Sequence, residues 1–141
     1  MSHRWRVLLA EDDFDVRLGI ARLLDVYGYE VRAVASGTEL LDMLATWILD
    51  GRGEAPADVI ITDVRMPGFD GLHIVEGLRD NGWLAPIVVI SAFGDDALRE
   101  RLKRLRDVRF LAKPFDPGTL AHLLAELTTP AHRMRARRPL N

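Results

Sequence analysis

Along this chain, apolar runs of strand length alternate with segments in which apolar residues recur every three or four positions. The runs are WRVLLA (5–10), EVRAV (30–34), DVIIT (58–62), PIVVIS (86–91) and RFLA (109–112). Val59, Ile60 and Ile61 are continuous and β-branched, the composition of a strand covered on both faces. Between the runs, Val16, Ile20, Leu23, Leu24 and Tyr27 share one helical face, and Leu40, Leu41, Leu44 and Ile48 do the same after the Ser36-Gly37 turn. The same spacing predicts helices over 70–79 (Leu72, Val75, Leu78), 95–105 (Leu98, Leu102, Leu105) and 117–127 (Leu120, Leu123, Leu124, Leu127), with Pro117 suited to a first helical turn. Strands alternating with helices in this order predict the α/β class, a parallel sheet joined by crossover helices.

Length and composition narrow the picture. The 141 residues suffice for one domain with a sizeable core, so a single fold should carry the function. A hydrophobic share of 48% with 28% charged residues is a soluble balance, and a formal charge of −2 announces neither a polyanion nor a membrane surface as partner. The absence of cysteine excludes disulfides, thiolate metal sites and cysteine nucleophiles. The apolar stretch before Glu11 is too short for a secretory segment or a membrane span, so a cytoplasmic protein with no membrane partner is expected. Two segments stand outside the alternation: a Gly/Pro-punctuated loop over 49–57, and a tail in which Arg133, Arg135, Arg137 and Arg138 stand without an acid. The expected division is a domain over 1–128 and a flexible basic tail over 129–141.

The polar residues that end the apolar runs carry the chemistry. Parallel strands share one carboxyl-terminal rim, and ligands of open α/β sheets bind outside it. The first run ends in Glu11, Asp12 and Asp13, the third in Asp63, the fourth in Ser91, and the fifth in Lys113. Any one of the first three acids alone reads equally well as a helix cap, and a lone strand-end lysine more often as a solvated charge. Carboxylates gathered on one rim repel unless a cation neutralises them, and an all-oxygen site suits Mg²⁺. An aspartate beside Mg²⁺ and a lysine is a plausible nucleophile toward a phosphoryl group, whose oxygens the metal, the ammonium and the Ser91 hydroxyl can hold.

With these residues assembled, the chain from about Arg4 to Leu127 resembles the receiver domain of two-component response regulators, in particular stand-alone receivers of the chemotaxis-regulator type. The resemblance rests on LLAEDDFDVR, DVIITDVRMPGFDG, PIVVISA and FLAKPF. It implies a flavodoxin-like, doubly wound sheet of five parallel strands with five helices. It implies that Asp63 takes a phosphoryl group from a histidine kinase or phosphotransfer protein, and that Glu11, Asp12, Asp63 and the Arg65 carbonyl hold Mg²⁺. Asp13 is then the spare acid that caps the first helix. Lys113 would pair with Asp63 and then with the phosphoryl group, across a cis Lys113-Pro114 bond that aims it inward. Ser91 and Phe110 would be the switch pair, and the fourth helix, fifth strand and fifth helix the output face. The protein would catalyse its own aspartyl phosphorylation and dephosphorylation without being a conventional enzyme, as a monomer or a phosphorylation-dependent dimer.

The chain departs from that family between Ser36 and Asp58, which is longer than usual by about two helical turns and predicts a second helix extended through Trp47 and Leu49. RLRDVR replaces the small-residue loop before the fifth strand, and Arg65 and Phe93 flank the site. The fourth helix sets Arg99, Arg101, Lys103, Arg104 and Arg106 against Glu100, either a solvated face or a surface for an acidic partner. Only 128–141 follows the last helix, which favours a stand-alone receiver; the alternative is the receiver of a longer DNA-binding or enzymatic regulator. An aspartate-nucleophile phosphatase would want a second aspartate where Arg65 stands. Four tail arginines without interleaved aromatics argue against a nucleic-acid arm.

Overall fold

The computed structural model describes residues 4–50, 55–66, 70–92 and 95–130. Strands β1 (Arg6–Ala10), β2 (Glu30–Val34), β3 (Val59–Asp63), β4 (Ile87–Ala92) and β5 (Val108–Lys113) alternate with helices α1 (Phe14–Val26), α2 (Gly37–Asp50), α3 (Gly71–Asp80), α4 (Asp96–Leu102) and α5 (Pro117–Leu127). All strands are parallel, in the spatial order β2-β1-β3-β4-β5. The order reverses between β1 and β3, which makes their carboxyl ends the topological switch point of the sheet. Ala10 faces Thr62 and Asp63 faces Ile90 in register, so the ends of β1, β3 and β4 lie on one rim.

The two faces of the sheet bury separate cores. Ile60, Ile87 and Val89 pack with Leu40, Leu44, Trp47, Val75, Leu78 and Leu98 from α2, α3 and α4. Val59, Ile61, Val88 and Ile90 pack with Ile20, Leu24, Leu120 and Leu124 from α1 and α5. This two-sided burial is why β3 is apolar at consecutive positions. Edge strand β2 is covered less, and its Arg32 and Ala33 are exposed. Asp13, Asp70 and Asp116 cap α1, α3 and α5, accepting from the main-chain N–H of Val16 (2.9 Å), Leu72 (2.8 Å) and Gly118 (3.1 Å).

The structure corrects several expectations from periodicity. Tyr27 stands just past α1 and is 58% exposed, while Tyr29 enters the core in its place. A helical face continues only as long as the helix does, and α1 ends one residue earlier. Helix α2 runs on through Trp47 to Asp50 and takes residues assigned to the loop over 49–57; the side chain of Ile48 and residues 51–54 lie outside the described set. The extension is anchored where Trp47 meets Trp83 edge to face, ring centroids 5.0 Å apart. Helix α4 stops at Leu102, three residues short of Leu105, and the chain turns through Asp107 at φ 54° before β5. Among the described residues, no helix is long and apolar enough to cross a membrane. The basic tail from residue 131, Phe93, and the turn residues Pro67 and Gly68 lie outside the described residues.

Candidate functional site

Three carboxylates meet at the switch point. Glu11 and Asp12 follow β1, and Asp63 is the last residue of β3, one position further along the strand than its sequence boundary suggested. Each offers an oxygen within 4.8 Å of the others. Glu11 is fully buried, Asp63 nearly so, and Asp12 exposed, so the cluster is rooted in the protein and open on one side. Asp13 turns away to cap α1, and its own N–H donates to Glu11 Oε2 at 3.3 Å.

Lys113 reaches this cluster from the end of β5, two strands away from β3. Its Nζ donates to Glu11 Oε1 at 2.6 Å and to Asp63 Oδ2 at 2.8 Å. Burial works to lower its pKa, but the hydrogen bonds to Asp63 and Glu11 and their charges outweigh that, so the ammonium is held above the ordinary lysine range. Burial pushes the Glu11 carboxyl up to about 7; the Lys113 hydrogen bond pulls the other way, and neighbouring Asp63 adds to the rise. Three carboxylates against one ammonium leave a net negative charge that a divalent cation would neutralise. The donor set of three carboxylates, all hard oxygens with one side facing solvent, fits Mg²⁺. The Lys113-Pro114 bond is cis.

The remaining residues surround Asp63. The Arg65 main-chain N–H donates to Asp63 Oδ1 at 3.2 Å, while the Arg65 side chain extends into solvent with its guanidinium 3.8 Å from Asp95. Ser91 is buried, and its hydroxyl has no hydrogen-bond partner among the described residues. A buried polar atom without a partner is uncommon. Phe110 is half-buried, opposite Val89 in the ladder where Ser91 faces Ala112, so Ser91 and Phe110 are diagonal neighbours on one face of the sheet. The Arg99 guanidinium lies 5.7 Å from the Phe110 ring centroid. Of the basic side chains of α4, Arg101 is taken up by a two-pronged contact with Glu76 (2.9 and 3.1 Å).

One site residue escaped the sequence reading. Gly71 begins α3 directly against the Asp63 peptide, and its N–H donates to the Val64 carbonyl at 3.0 Å. The Asp70-Gly71 pair is the signal that was available, because a cap followed by a glycine marks a helix start that can approach another backbone closely.

Comparison with known proteins agrees with this geometry. The family model of the response regulator receiver domain matches residues 7–125. The chain is 36% identical over 124 residues to the response regulator MprA of Mycobacterium avium, covering 86% of this chain and 49% of MprA. It is 34% identical over 121 residues to the sensor kinase CckA of Brucella abortus, covering 86% of this chain and 12% of that kinase. The chain therefore spans about half the length of one curated relative and a small part of the other. Among solved structures, the chemotaxis response regulator CheY4 of Vibrio cholerae superposes with a TM-score of 0.72 at 28% identity, covering 89% of this chain and 99% of that one. The receiver domain of the hybrid histidine kinase CckA gives 0.67 at 33% identity, covering 88% and 99%. A doubly wound sheet with an acidic cluster at its switch point is the architecture of a receiver. This chain belongs to the response regulator receiver domain family of two-component signalling.

Proposed function

We propose that the protein is a phosphorylation-controlled switch in which Asp63 takes a phosphoryl group from a histidine kinase or phosphotransfer protein. The observation that carries this reading is the Lys113 ammonium held between Glu11 and Asp63, with the Asp12 carboxylate alongside on the open side. Glu11, Asp12, Asp63 and the Arg65 carbonyl are the groups assigned to Mg²⁺, which when bound would neutralise charge on the transferring phosphoryl oxygens. An Asp63 carboxylate oxygen forms the new P–O bond as the P–N bond to the donor imidazole breaks, and the electron pair leaves with that nitrogen. Lys113 holds one phosphoryl oxygen, and the Ser91 hydroxyl donates to another. The acyl phosphate is later hydrolysed at the same site.

Movement of Ser91 opens space beside Phe110, whose ring turns inward and leaves the Arg99 guanidinium. This links the chemistry to the face formed by α4, β5 and α5. With Arg101 engaged by Glu76 and Arg109 lying 3.8 Å from Glu126, the other basic side chains there, Arg99, Lys103, Arg104 and Arg106, complement an acidic partner. Two organisations are carried forward. A stand-alone cytoplasmic receiver, monomeric or dimerising on phosphorylation, corresponds to the likeness to the chemotaxis regulator. The receiver of a longer DNA-binding or enzymatic regulator is favoured by the match to half of MprA; in either case residues 129–141 are a basic extension of the receiver. The length of the native reading frame separates the two.

Incubation with Mg²⁺ and a small phosphodonor should add the mass of one phosphoryl group, and Asp63→Asn should abolish the gain. No gain in the wild-type protein, or an equal gain in Asp63→Asn, overturns the proposal.

A further inference from the structure

We infer that Arg17 is a positioning residue for the acidic pair, holding the main chain that carries Glu11 and Asp12 so that their carboxylates face Asp63. The inference rests on the reading of this cluster as a Mg²⁺ site. Arg17 Nη1 donates to the Glu11 carbonyl at 2.8 Å and, more weakly, to the Asp12 carbonyl at 3.4 Å. Its guanidinium lies 5.5 Å from the Phe14 ring centroid. The fork is thus held from one side by two successive peptide oxygens and from the other by an aromatic ring.

Helix stability does not account for this arrangement. Arg17 lies in the first turns of α1, its N–H bonded to the carbonyl of the cap residue Asp13. A cation near a helix N-terminus opposes the helix dipole, so the position is unfavourable for α1 taken alone. Phe14, for its part, is 64% exposed, a poor use of a large aromatic side chain if burial were its purpose. Both residues gain a reason when the guanidinium is read as a brace on the turn between β1 and α1.

The choice of partners is the second argument. An arginine bound to the carboxylates would compete with a metal for the same oxygens. Arg17 binds peptide carbonyls and leaves the carboxylates to Lys113, to the Asp13 N–H and to the open side of the site. Lys113 neutralises the acids, and Arg17 fixes the backbone from which they project. A lysine at position 17 would keep the charge but offer a point donor in place of a planar fork.

The test is a Mg²⁺ titration of the full chain, read from amide chemical shifts without any phosphodonor. Arg17→Lys should weaken Mg²⁺ binding roughly tenfold, as removal of a group that orients metal ligands does, and Arg17→Met should weaken it at least as much. Phe14→Leu, at an exposed position that leaves the fold intact, should weaken it about twofold through loss of the ring contact. In metal-free protein, amide hydrogen exchange at Asp12 and Asp13 should accelerate in Arg17→Lys. If Arg17 acted only as a nearby positive charge, Arg17→Met would tighten Mg²⁺ binding and Arg17→Lys would leave it unchanged, and that result overturns the inference. Should Arg17→Met fail to fold, unchanged binding in Phe14→Leu together with unchanged exchange in Arg17→Lys overturns it equally. Wild-type protein that does not bind Mg²⁺ removes the parent reading as well, whereas wild-type binding with unaffected variants removes this one alone.

Discussion

Gly71 abuts the peptide of Asp63 so closely that a Cβ at position 71 would overlap the Asp63 carbonyl oxygen and lie 3.1 Å from the Val64 Cα. The atoms it would meet are backbone and cannot swing aside, so the first turn of α3 is docked on the end of β3 only because residue 71 has no side chain. Gly71→Ala should displace that turn or the strand end. The expected cost is about 1–3 kcal/mol, the range for overpacking a tight contact. Urea denaturation measures it, and the rate of phosphoryl gain should fall in the same variant. A variant as stable and as reactive as wild type would show that α3 accommodates the methyl group.

Lys113→Met removes the one ammonium shared by Glu11 and Asp63 and leaves the two carboxylates facing each other. The melting temperature without metal should fall, and Mg²⁺ should restore more of it than it adds to wild type, because the ion then supplies all of the neutralising charge. Phosphoryl gain should slow by roughly a hundredfold, the effect of removing one preorganised charge donor from a reacting oxygen. Thermal melts with and without Mg²⁺, and intact-mass kinetics, check the two halves separately.

Metal binding should depend on pH through Glu11. With its carboxyl pushed up to about 7 by burial, Glu11 carries a proton over the range in which an ordinary glutamate is ionised, and a cation must displace it. Mg²⁺ affinity should therefore rise about tenfold per pH unit well below 7 and level off above it. Calorimetric titrations on both sides of pH 7 test this. Replacing Glu11 with Gln should remove the pH dependence together with much of the affinity.

Far from the site, Arg79 ties two loops at the opposite rim. Its guanidinium donates to the carbonyls of Trp83, Ala85 (2.9 Å), Arg106 (2.8 Å) and Asp107 (3.3 Å), joining the segment after α3 to the turn before β5. Burial lowers its pKa to about 10, so it stays charged at neutral pH. Arg79→Met should lose about 3 kcal/mol, since the charged donor goes and several part-buried carbonyls lose their partner together. Chemical denaturation measures the loss. Phosphoryl gain at Asp63 should persist under folding conditions, which separates this residue from those at the rim.

What the sequence by itself determined was the order and kind of the elements, because each is set by local period: consecutive β-branched residues in β3, and leucines three and four apart in α3 and α5. It also singled out Glu11, Asp12, Asp63, Ser91 and Lys113 as candidates, since each interrupts or ends an apolar run. The tertiary structure decided what these residues do to one another. Lys113 meets Glu11 across 102 positions of sequence, a distance that only the reversal of strand order between β1 and β3 and the span across β4 can close. The sealed contact of Gly71 with Asp63, the bracing of the acidic turn by Arg17, the carbonyl cluster around Arg79 and the exchange of Tyr27 for Tyr29 in the core share that origin. Periodicity records which side of an element is apolar, whereas a contact between backbones or between distant side chains depends on how whole elements are placed, and no local pattern encodes that placement.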